Sequence, residues 1–464
     1  MELFYKVEDK PKFSQLIVFA LQQLLAIMAA TIAVPAIIGN GMSPSAALFG
    51  AGVGTLVYLL FTKFKSPVFL GSSFAFLGSM GAAFAGAATV NLGFLGLILG
   101  AILAGLVYVI LALVVKKVGT NWISKIMPAV VIGPTVAIIG LSLAGNAVGD
   151  LGSGSFAGTN FYVALVCGLV TLFTTIACSV FGKKMMKMIP FVIGILAGYA
   201  LASIFTVIGV ATENEALKVI DFSGFAQLGT LNAWIPDFSF VKAIKGFGDL
   251  TGGASEFFTL LGQVAVAYVP VAFVVFAEHI ADHKNLSTII DKDLLEDPGL
   301  DKTLLGDGVG SMAGAFFGGC PNTTYGESIG CVAISGNASV VTICATSIMA
   351  IVISFLGPFS IFLSTIPSCV MGGVCIALYG FIAVSGLKML QGVDLGDNRN
   401  LFVVSVILIA GVGGLALNIA NTVTITEVAC ALILGILVNT LVKFKKDDAP
   451  KEVPQEETTE ETAE

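Results

Sequence analysis

Long apolar runs separated by short polar or glycine-rich breaks dominate this chain. Most runs are long enough for a helix to cross the roughly 30 Å hydrocarbon core of a bilayer. The pattern predicts an all-α polytopic membrane protein. Its fourteen predicted spans lie at residues 15–37, 45–62, 68–86, 92–115, 127–147, 161–181, 188–210, 263–283, 303–319, 324–336, 339–364, 367–388, 401–419 and 428–443.

The positions of Lys and Arg test this arrangement, because these residues collect in cytoplasmic loops. They precede the first predicted span and follow the second, fourth, sixth, eighth, twelfth and fourteenth, whereas the short connections on the other side contain neither. Segment 211–262 is an exception, but long loops are translocated largely regardless of charge. We therefore expect an inner (plasma) membrane protein with both termini in the cytoplasm and a long extracellular connection at 211–262.

This connection divides the predicted spans into two sets of seven. Since seven is odd, the second set must be inverted relative to the first, as in many secondary transporters. Residues 72–76 (SSFAF) in the third span and 323–327 (TTYGE) in the tenth match in the order of hydroxyl, aromatic and small side chains. Paired polar interruptions at corresponding positions indicate a substrate site near the membrane midplane.

Composition adds few other constraints. The chain is 56% hydrophobic and 11% charged, and its net charge of -7 comes largely from a tail, 447–464, that we expect to be disordered and cytoplasmic. The eight cysteines are scattered without metal-ligand spacing, so we expect them to be packing residues. The sequence predicts no metal, no cofactor and no nucleic-acid partner.

The peptide CPNTTYGESIG, residues 320–330, places the carboxylate of Glu327 between apolar runs. Broken spans at the bilayer centre leave backbone groups that hydrocarbon cannot satisfy. A flat ligand with ring N–H donors and carbonyl acceptors would find backbone N–H groups at Phe74 and Gly326, the ring of Phe74 for stacking, and the Glu327 carboxylate as an acceptor.

A second acidic pair lies in FVVFAEHIADH, where Glu278 and Asp282 share one helical face. Both histidines of the chain, His279 and His283, occur in the same stretch. Ionisable groups at membrane depth are costly, and proton relays are a recurrent use of them. The alternative is that the eighth span ends near Glu278 and these groups are solvated, which we expect for His283.

Other polar residues in apolar runs have two interpretations each. Asp307 is either a coupling or helix-positioning residue or a polar cap at the cytoplasmic end of its span. Gln22 and Gln23 are expected to form hydrogen bonds between helices, with substrate contact as the second interpretation.

Several motifs together resemble the nucleobase/ascorbate transporter family, and within it the bacterial uracil transporters, from about residue 12 to 446. They are GSSFAF at 71–76, AEH at 277–279, DPGL at 297–300, PNTTYGE at 321–327 and MGGV at 371–374. The resemblance implies short antiparallel strands in spans 3 and 10, and two domains that each contain segments from both halves. The implied core domain comprises residues 1–118 and 263–364, and the implied gate domain comprises 119–210 and 365–446.

The resemblance also implies the roles of individual residues. Glu278 and Glu327 would hold uracil, Phe74 would supply a backbone N–H and a ring face, and Tyr325 and Gly326 would form the adjoining backbone. The residues themselves, as acids at membrane depth, lead us to expect proton coupling through Glu278 with two further acids, Asp282 and Asp307. The implied protein is a proton-coupled uracil importer in the lipid bilayer, not an enzyme, with a homodimer expected through the gate domain.

Two departures from the family pattern keep alternatives open. Asp282 stands where uracil transporters commonly have His, and Gln22-Gln23 stands where the family usually has Gln-His. A xanthine or mixed uracil/xanthine permease is therefore the main alternative. An anion carrier or channel would be expected to place Lys or Arg in spans 3, 8 and 10, which have none, and a membrane enzyme would need a catalytic pattern such as HExxH that the sequence lacks.

Overall fold

A computed structural model describes residues 3–183, 186–187, 189–230, 233–419 and 423–443. The tail predicted to be disordered, 447–464, lies outside these residues. The helices of the first half are α1 (Phe13–Ile38), α2 (Pro44–Phe61), α3 (Leu77–Ala85), α4 (Val90–Val118), α5 (Asn121–Ile126), α6 (Ala129–Ser142), α7 (Ala144–Asp150), α8 (Phe161–Phe181) and α9 (Pro190–Ala211). Those of the second half are α10 (Ser239–Gly248), α11 (Gly253–Ile290), α12 (Leu300–Gly318), α13 (Gly326–Ser335), α14 (Val340–Ser354), α15 (Gly357–Ser364), α16 (Ser368–Lys388), α17 (Asn398–Val412) and α18 (Glu427–Lys443).

Four short strands accompany the helices. Strands β1 (Leu70–Ser72) and β2 (Asn322–Thr324) pair with each other in antiparallel fashion, and so do β3 (Leu417–Ile419) and β4 (Val423–Ile425). The described chain is thus predominantly helical, as the apolar pattern predicts.

Within the described residues, eight helical segments are long and apolar enough to cross a membrane, and a ninth is counted if the pair α14 and α15, bent by 83°, is taken as one span. The prediction of a multi-pass membrane protein is confirmed. The count of fourteen remains a prediction, because several predicted spans are short or interrupted. The clearest case is residues 68–86, which form β1, a turn of 3-10 helix at Phe74–Phe76 and then the nine-residue α3.

Glycine allows α2 and α12 to approach closely. A Cβ atom added at Gly54 would lie 2.6 Å from the carbonyl oxygen of Gly310, and one added at Gly50 would lie 2.4 Å from that of Gly314. No larger residue fits without separating the helices. Helix α12 also packs on α4, so these helices form a tight group around the strand pair β1 and β2.

A second group is built around α16, which packs against α6 and α8. A Cβ at Gly140 of α6 would lie 2.1 Å from the carbonyl oxygen of Tyr379 on α16, so this contact also requires glycine. Tyr379 therefore sits on a helix whose position is fixed by backbone contact.

The predicted connection 211–262 is more ordered than a plain loop. It contains turns of 3-10 helix and α10, which packs on α4, and α11 begins at Gly253, ten residues before the predicted start at 263. The apolar pattern predicts a later start because GASEFFTLLGQ, at 253–263, mixes polar and apolar residues.

Candidate substrate-binding site

The buried strand pair β1 and β2 is held by backbone and tyrosine hydrogen bonds. Leu70 pairs with Thr324 and Ser72 with Asn322. The Tyr325 hydroxyl donates to the carbonyl oxygen of Ser72 at 2.8 Å. The ring of Tyr325 covers Gly71, where a Cβ would lie 2.3 Å from ring carbons, so this position excludes every side chain.

A helical segment follows each strand, and its first residues present backbone N–H groups that have no partner within the helix. After β1 the segment begins at Phe74, and after β2 it begins at Gly326. Gly326 is exposed and follows the buried Tyr325, and a Cβ at Gly326 would meet nothing within 4 Å. Glu327 follows it and is partly buried. Open space therefore lies beside a carboxylate at a helix N-terminus.

The ring of Phe74 is buried and meets Tyr379 of α16 edge-on, with ring centroids 5.5 Å apart and planes at 81°. This contact joins the strand pair to the second helix group. Sequence reasoning did not identify Tyr379, because nothing in its apolar surroundings distinguishes it from a packing residue.

Helix α11 contributes Glu278 and Asp282, one turn apart and both partly buried. The Thr324 hydroxyl at the end of β2 donates to Asp282 Oδ2 at 2.6 Å. Asp307 Oδ2 lies 2.7 Å from Nδ1 of His279, the residue next to Glu278, and Thr324 precedes Glu327 by three residues. The predicted acids on α11, α12 and α13 thus form one cluster beside the strand pair.

Asp307 is buried in the middle of α12, 1% exposed, and does not cap the helix. Its Oδ2 lies 2.7 Å from His279 Nδ1, and His279 Nε2 lies 3.0 Å from the Thr303 hydroxyl. The interpretation of Asp307 as a polar cap at the cytoplasmic end of its span is therefore wrong.

The expectation that His283 is solvated is also wrong. Helix α11 continues to Ile290, and His283 is 1% exposed. Its Nδ1 donates to the carbonyl oxygen of His279 at 2.8 Å, and its Nε2 lies 2.7 Å from the Tyr58 hydroxyl. The apolar run ends early in sequence, but α2 covers this face and supplies the polar partner.

Gln23 forms the predicted hydrogen bond between helices. Its Nε2 donates to Ser328 Oγ at 2.5 Å, and the same Oγ accepts the backbone N–H of Phe69 at 3.0 Å. Gln23 on α1 thereby fixes the residue next to Glu327, which confirms the structural interpretation for this side chain. Among the described residues no group of three or more His, Cys, Asp or Glu side chains is arranged to hold a metal ion.

Comparison with known proteins identifies the family. A model described as "Permease family" matches residues 14–420, which is most of the chain. The chain belongs to this permease family. The resemblance inferred from the motifs is confirmed, and the family and its relatives are permeases, not enzymes.

The permease is similar to curated relatives over nearly its whole length. It is 40% identical to the uracil permease of Bacillus caldolyticus over 445 residues, covering 94% of each chain. It is 38% identical to the uracil permease of Bacillus subtilis, covering 95% of this chain and 96% of the relative, and 35% identical to that of Escherichia coli strain K12, covering 96% of each.

Solved structures support the fold of the permease. The transmembrane domain of the cyanobacterial bicarbonate transporter BicA superposes with a TM-score of 0.61 at 16% identity, covering 94% of the permease and all of that chain. The inward-facing structure of the murine anion transporter Slc26a9 also gives 0.61, at 14% identity, covering 94% of the permease and 69% of that chain. At this identity the likeness concerns architecture alone.

Proposed function

We propose that this permease imports uracil by proton symport, with the substrate bound between the strand pair, α11 and α13. The observation that carries the proposal is the partly buried carboxylate of Glu327 beside the open Gly326, at a helix N-terminus. The similarity to three proteins named uracil permeases supports the same substrate.

Uracil matches the chemistry of this site. Its ring nitrogens donate hydrogen bonds, which Glu327 and Glu278 accept, and its carbonyl oxygens accept from backbone N–H groups at Phe74 and Gly326. The ring of Phe74 packs against the base, and Tyr379 holds that ring edge-on. Tyr325 closes the strand side of the site through its bond to Ser72.

Proton coupling in this proposal uses the acid cluster. Several carboxylates in a confined space repel one another when all are ionised, so binding a proton stabilises the loaded site. Glu278 is the principal carrier, because it lies on α11 one turn before Asp282 and next to His279, which contacts Asp307. Asp282 and Asp307 serve as auxiliary groups, the latter through its contact with His279.

The proposed transport motion follows the implied architecture of fourteen spans in two inverted repeats. A core domain containing α1–α4 and α11–α15 rocks against a gate domain containing α5–α9 and α16–α18, with the site at their boundary. The proposed location is the inner membrane with both termini in the cytoplasm, and a homodimer forms through the gate domain.

A second candidate, a xanthine or mixed uracil/xanthine permease, is favoured by Asp282, which is an acid where the uracil transporters commonly have His. An anion carrier is disfavoured despite the fold shared with BicA, because the site residues described here are carboxylates with no Lys or Arg among them.

Competition for uptake tests the substrate. Radiolabelled uracil is offered to proteoliposomes with unlabelled uracil, thymine, xanthine or hypoxanthine in excess, with and without an inward proton gradient. We expect uracil to compete best and accumulation to stop when a protonophore is added. Equal or stronger competition by xanthine would favour the second candidate, and accumulation that follows sodium would contradict proton coupling.

A further inference from the structure

The segment preceding α1, residues 4–9, is hydrogen-bonded to the chain that connects α13 and α14. We name it the N-terminal strap. The backbone N–H groups of Phe4 and Tyr5 donate to the carbonyl oxygen of Gly336 at 2.7 and 3.1 Å, and Ala338 N–H donates back to Tyr5 at 2.9 Å. Tyr5 and Asn337 form a parallel bridge.

The strap continues along the start of α14. Val340 N–H donates to the carbonyl oxygen of Val7 at 3.1 Å, and the Ser339 hydroxyl donates to that of Asp9 at 2.6 Å. The Val7 side chain is 3% exposed and belongs to the core. A segment with this many backbone bonds and a buried anchor is an ordered part of the fold.

Gly336 is where α13 ends, in the left-handed conformation with φ of 65°. Helix α13 has ten residues, and Glu327 is in its first turn. The strap therefore binds the C-terminal end of a helix whose N-terminal end carries a carboxylate of the site. Gly336 and Glu327 are about nine residues apart, or roughly 14 Å along the helix. A helix this short is marginal by itself and depends on tertiary contacts for its position.

The strap also reaches the helix that carries the other site acids. Glu8 forms an ion pair with Lys292, two residues beyond the end of α11. The hydrogen bond from Lys292 lowers the pKa of the Glu8 carboxyl. Glu278 lies on α11 about twelve residues before its end, or roughly 18 Å away.

We propose that the N-terminal strap is a positioning element for the substrate site: by tying the end of α13 to the end of α11, it sets the relative placement of Glu327 and Glu278. This inference rests on the proposed function for the identity of the substrate. The effect of the strap on the position of α13 does not depend on which substrate is bound. A ligand that spans two carboxylates needs them preorganised, and lost preorganisation appears as weaker binding with no contact removed.

Two variants separate the strap's role from general stability. Deletion of residues 2–9 removes the whole strap, and Glu8→Lys converts its ion pair to a repulsion while keeping the backbone bonds. Exposed ion pairs contribute little, so we expect Glu8→Lys to weaken uracil binding by about threefold. Deletion should weaken it by about tenfold. The double variant Glu8→Lys, Lys292→Glu should restore binding.

Lys65→Glu is the matched control, because Lys65 pairs with Asp297 at 2.6 Å in another exposed ion pair that does not involve the strap. It should leave uracil affinity unchanged. Hydrogen exchange of the peptide spanning 326–335, measured without ligand, should be faster in the deletion variant and unchanged in the control.

The outcomes distinguish the strap from the proposed substrate. If the intact protein binds uracil and both affinity and exchange are unchanged on deletion, the strap has no positioning role. If the intact protein does not bind uracil, the proposed function is wrong, and the exchange of 326–335 alone decides on the strap. Failure of the charge swap to restore binding would overturn the role of the Glu8–Lys292 pair.

Discussion

His279 Nδ1 on α11 lies 2.7 Å from Asp307 Oδ2 on α12, and both side chains are fully buried. The imidazole and the carboxyl group share a proton at this distance, whichever of them holds it. The other imidazole nitrogen, Nε2, lies 3.0 Å from the Thr303 hydroxyl. This pair connects the helix that carries Glu278 to the rest of the acid cluster.

Asp307→Asn tests whether this pair serves transport. Asparagine keeps the shape but cannot exchange a proton, so we expect accumulation of uracil to fall at least tenfold while equilibrium binding changes less than about threefold. Uptake and binding are measured on the same reconstituted protein. Thr303→Val, which removes only the hydroxyl, is the control and should retain most accumulation. Normal accumulation by Asp307→Asn would leave the pair a structural role only.

Much of the fold can be predicted from the sequence, because a helix that crosses a membrane requires a long apolar run. The positions of α1, α4, α8 and α9 agree closely with predicted spans for this reason. Breaks within the spans are harder to predict from the sequence. The length of an apolar run does not reveal where its helix is interrupted, as at 68–86, or where it bends, as between α14 and α15.

The residues of the candidate site likewise include some that the sequence predicts and some that only the structure reveals. Glu278, Glu327 and Asp307 were identifiable because charges in apolar runs are costly and therefore conspicuous. Tyr58, Thr303 and Tyr379 are not identifiable in this way, because each is an ordinary residue in its own helix. Only the packing of segments distant in sequence brings them to His283, His279 and Phe74, respectively.

Glu327→Gln tests the proposed ligand contact. The amide can present a donor where the ring N–H needs an acceptor, so we expect uracil affinity to fall tenfold or more, in line with about 1.5–3 kcal/mol for a charge-assisted bond. Binding is measured on purified protein whose thermal stability matches the wild type. Glu327→Asp keeps the negative charge but places it farther from the ligand, so its uracil affinity should lie between those of the wild type and Glu327→Gln. Unchanged affinity in folded Glu327→Gln would reject the contact.

Phe74 is expected to contribute by stacking. Phe74→Ala removes the ring and its contact with Tyr379, and should weaken binding by a factor corresponding to roughly 0.5–1.5 kcal/mol, while the backbone N–H at position 74 remains. Phe74→Tyr preserves a ring face and serves as the control. If Phe74→Ala and Phe74→Leu both bind uracil as the wild type does, β1 and its helical turn do not line the site.

Gln23 and Ser328 are expected to act as one unit in positioning Glu327. Each single change, Gln23→Ala or Ser328→Ala, breaks the same 2.5 Å hydrogen bond. The double variant should therefore weaken uracil binding no more than the worse single variant, with a coupling energy of about 0.5–3 kcal/mol. The uracil affinities of the wild type, the two single variants and the double variant are measured and compared in a double-mutant cycle. Additive losses would show that Gln23 influences the site by another contact.

Glu278→Gln separates binding from coupling at the centre of the acid cluster. The amide still fills the space but neither binds nor releases a proton, so the site no longer changes charge when uracil is loaded. If Glu278 is the proton carrier, this variant should still exchange labelled for unlabelled uracil across the proteoliposome membrane, but it should not concentrate uracil under an imposed proton gradient.

Asp282→Asn is the comparison for this experiment, because Asp282 lies one turn away on the same helix and is engaged by the Thr324 hydroxyl. We expect it to retain gradient-driven accumulation at a reduced level, since Glu278 remains. If Glu278→Gln loses binding as well as accumulation, Glu278 is first a ligand. If Asp282→Asn alone abolishes concentration while exchange continues, the proton is carried at Asp282, and the acid that distinguishes this chain from the common uracil pattern is the coupling residue.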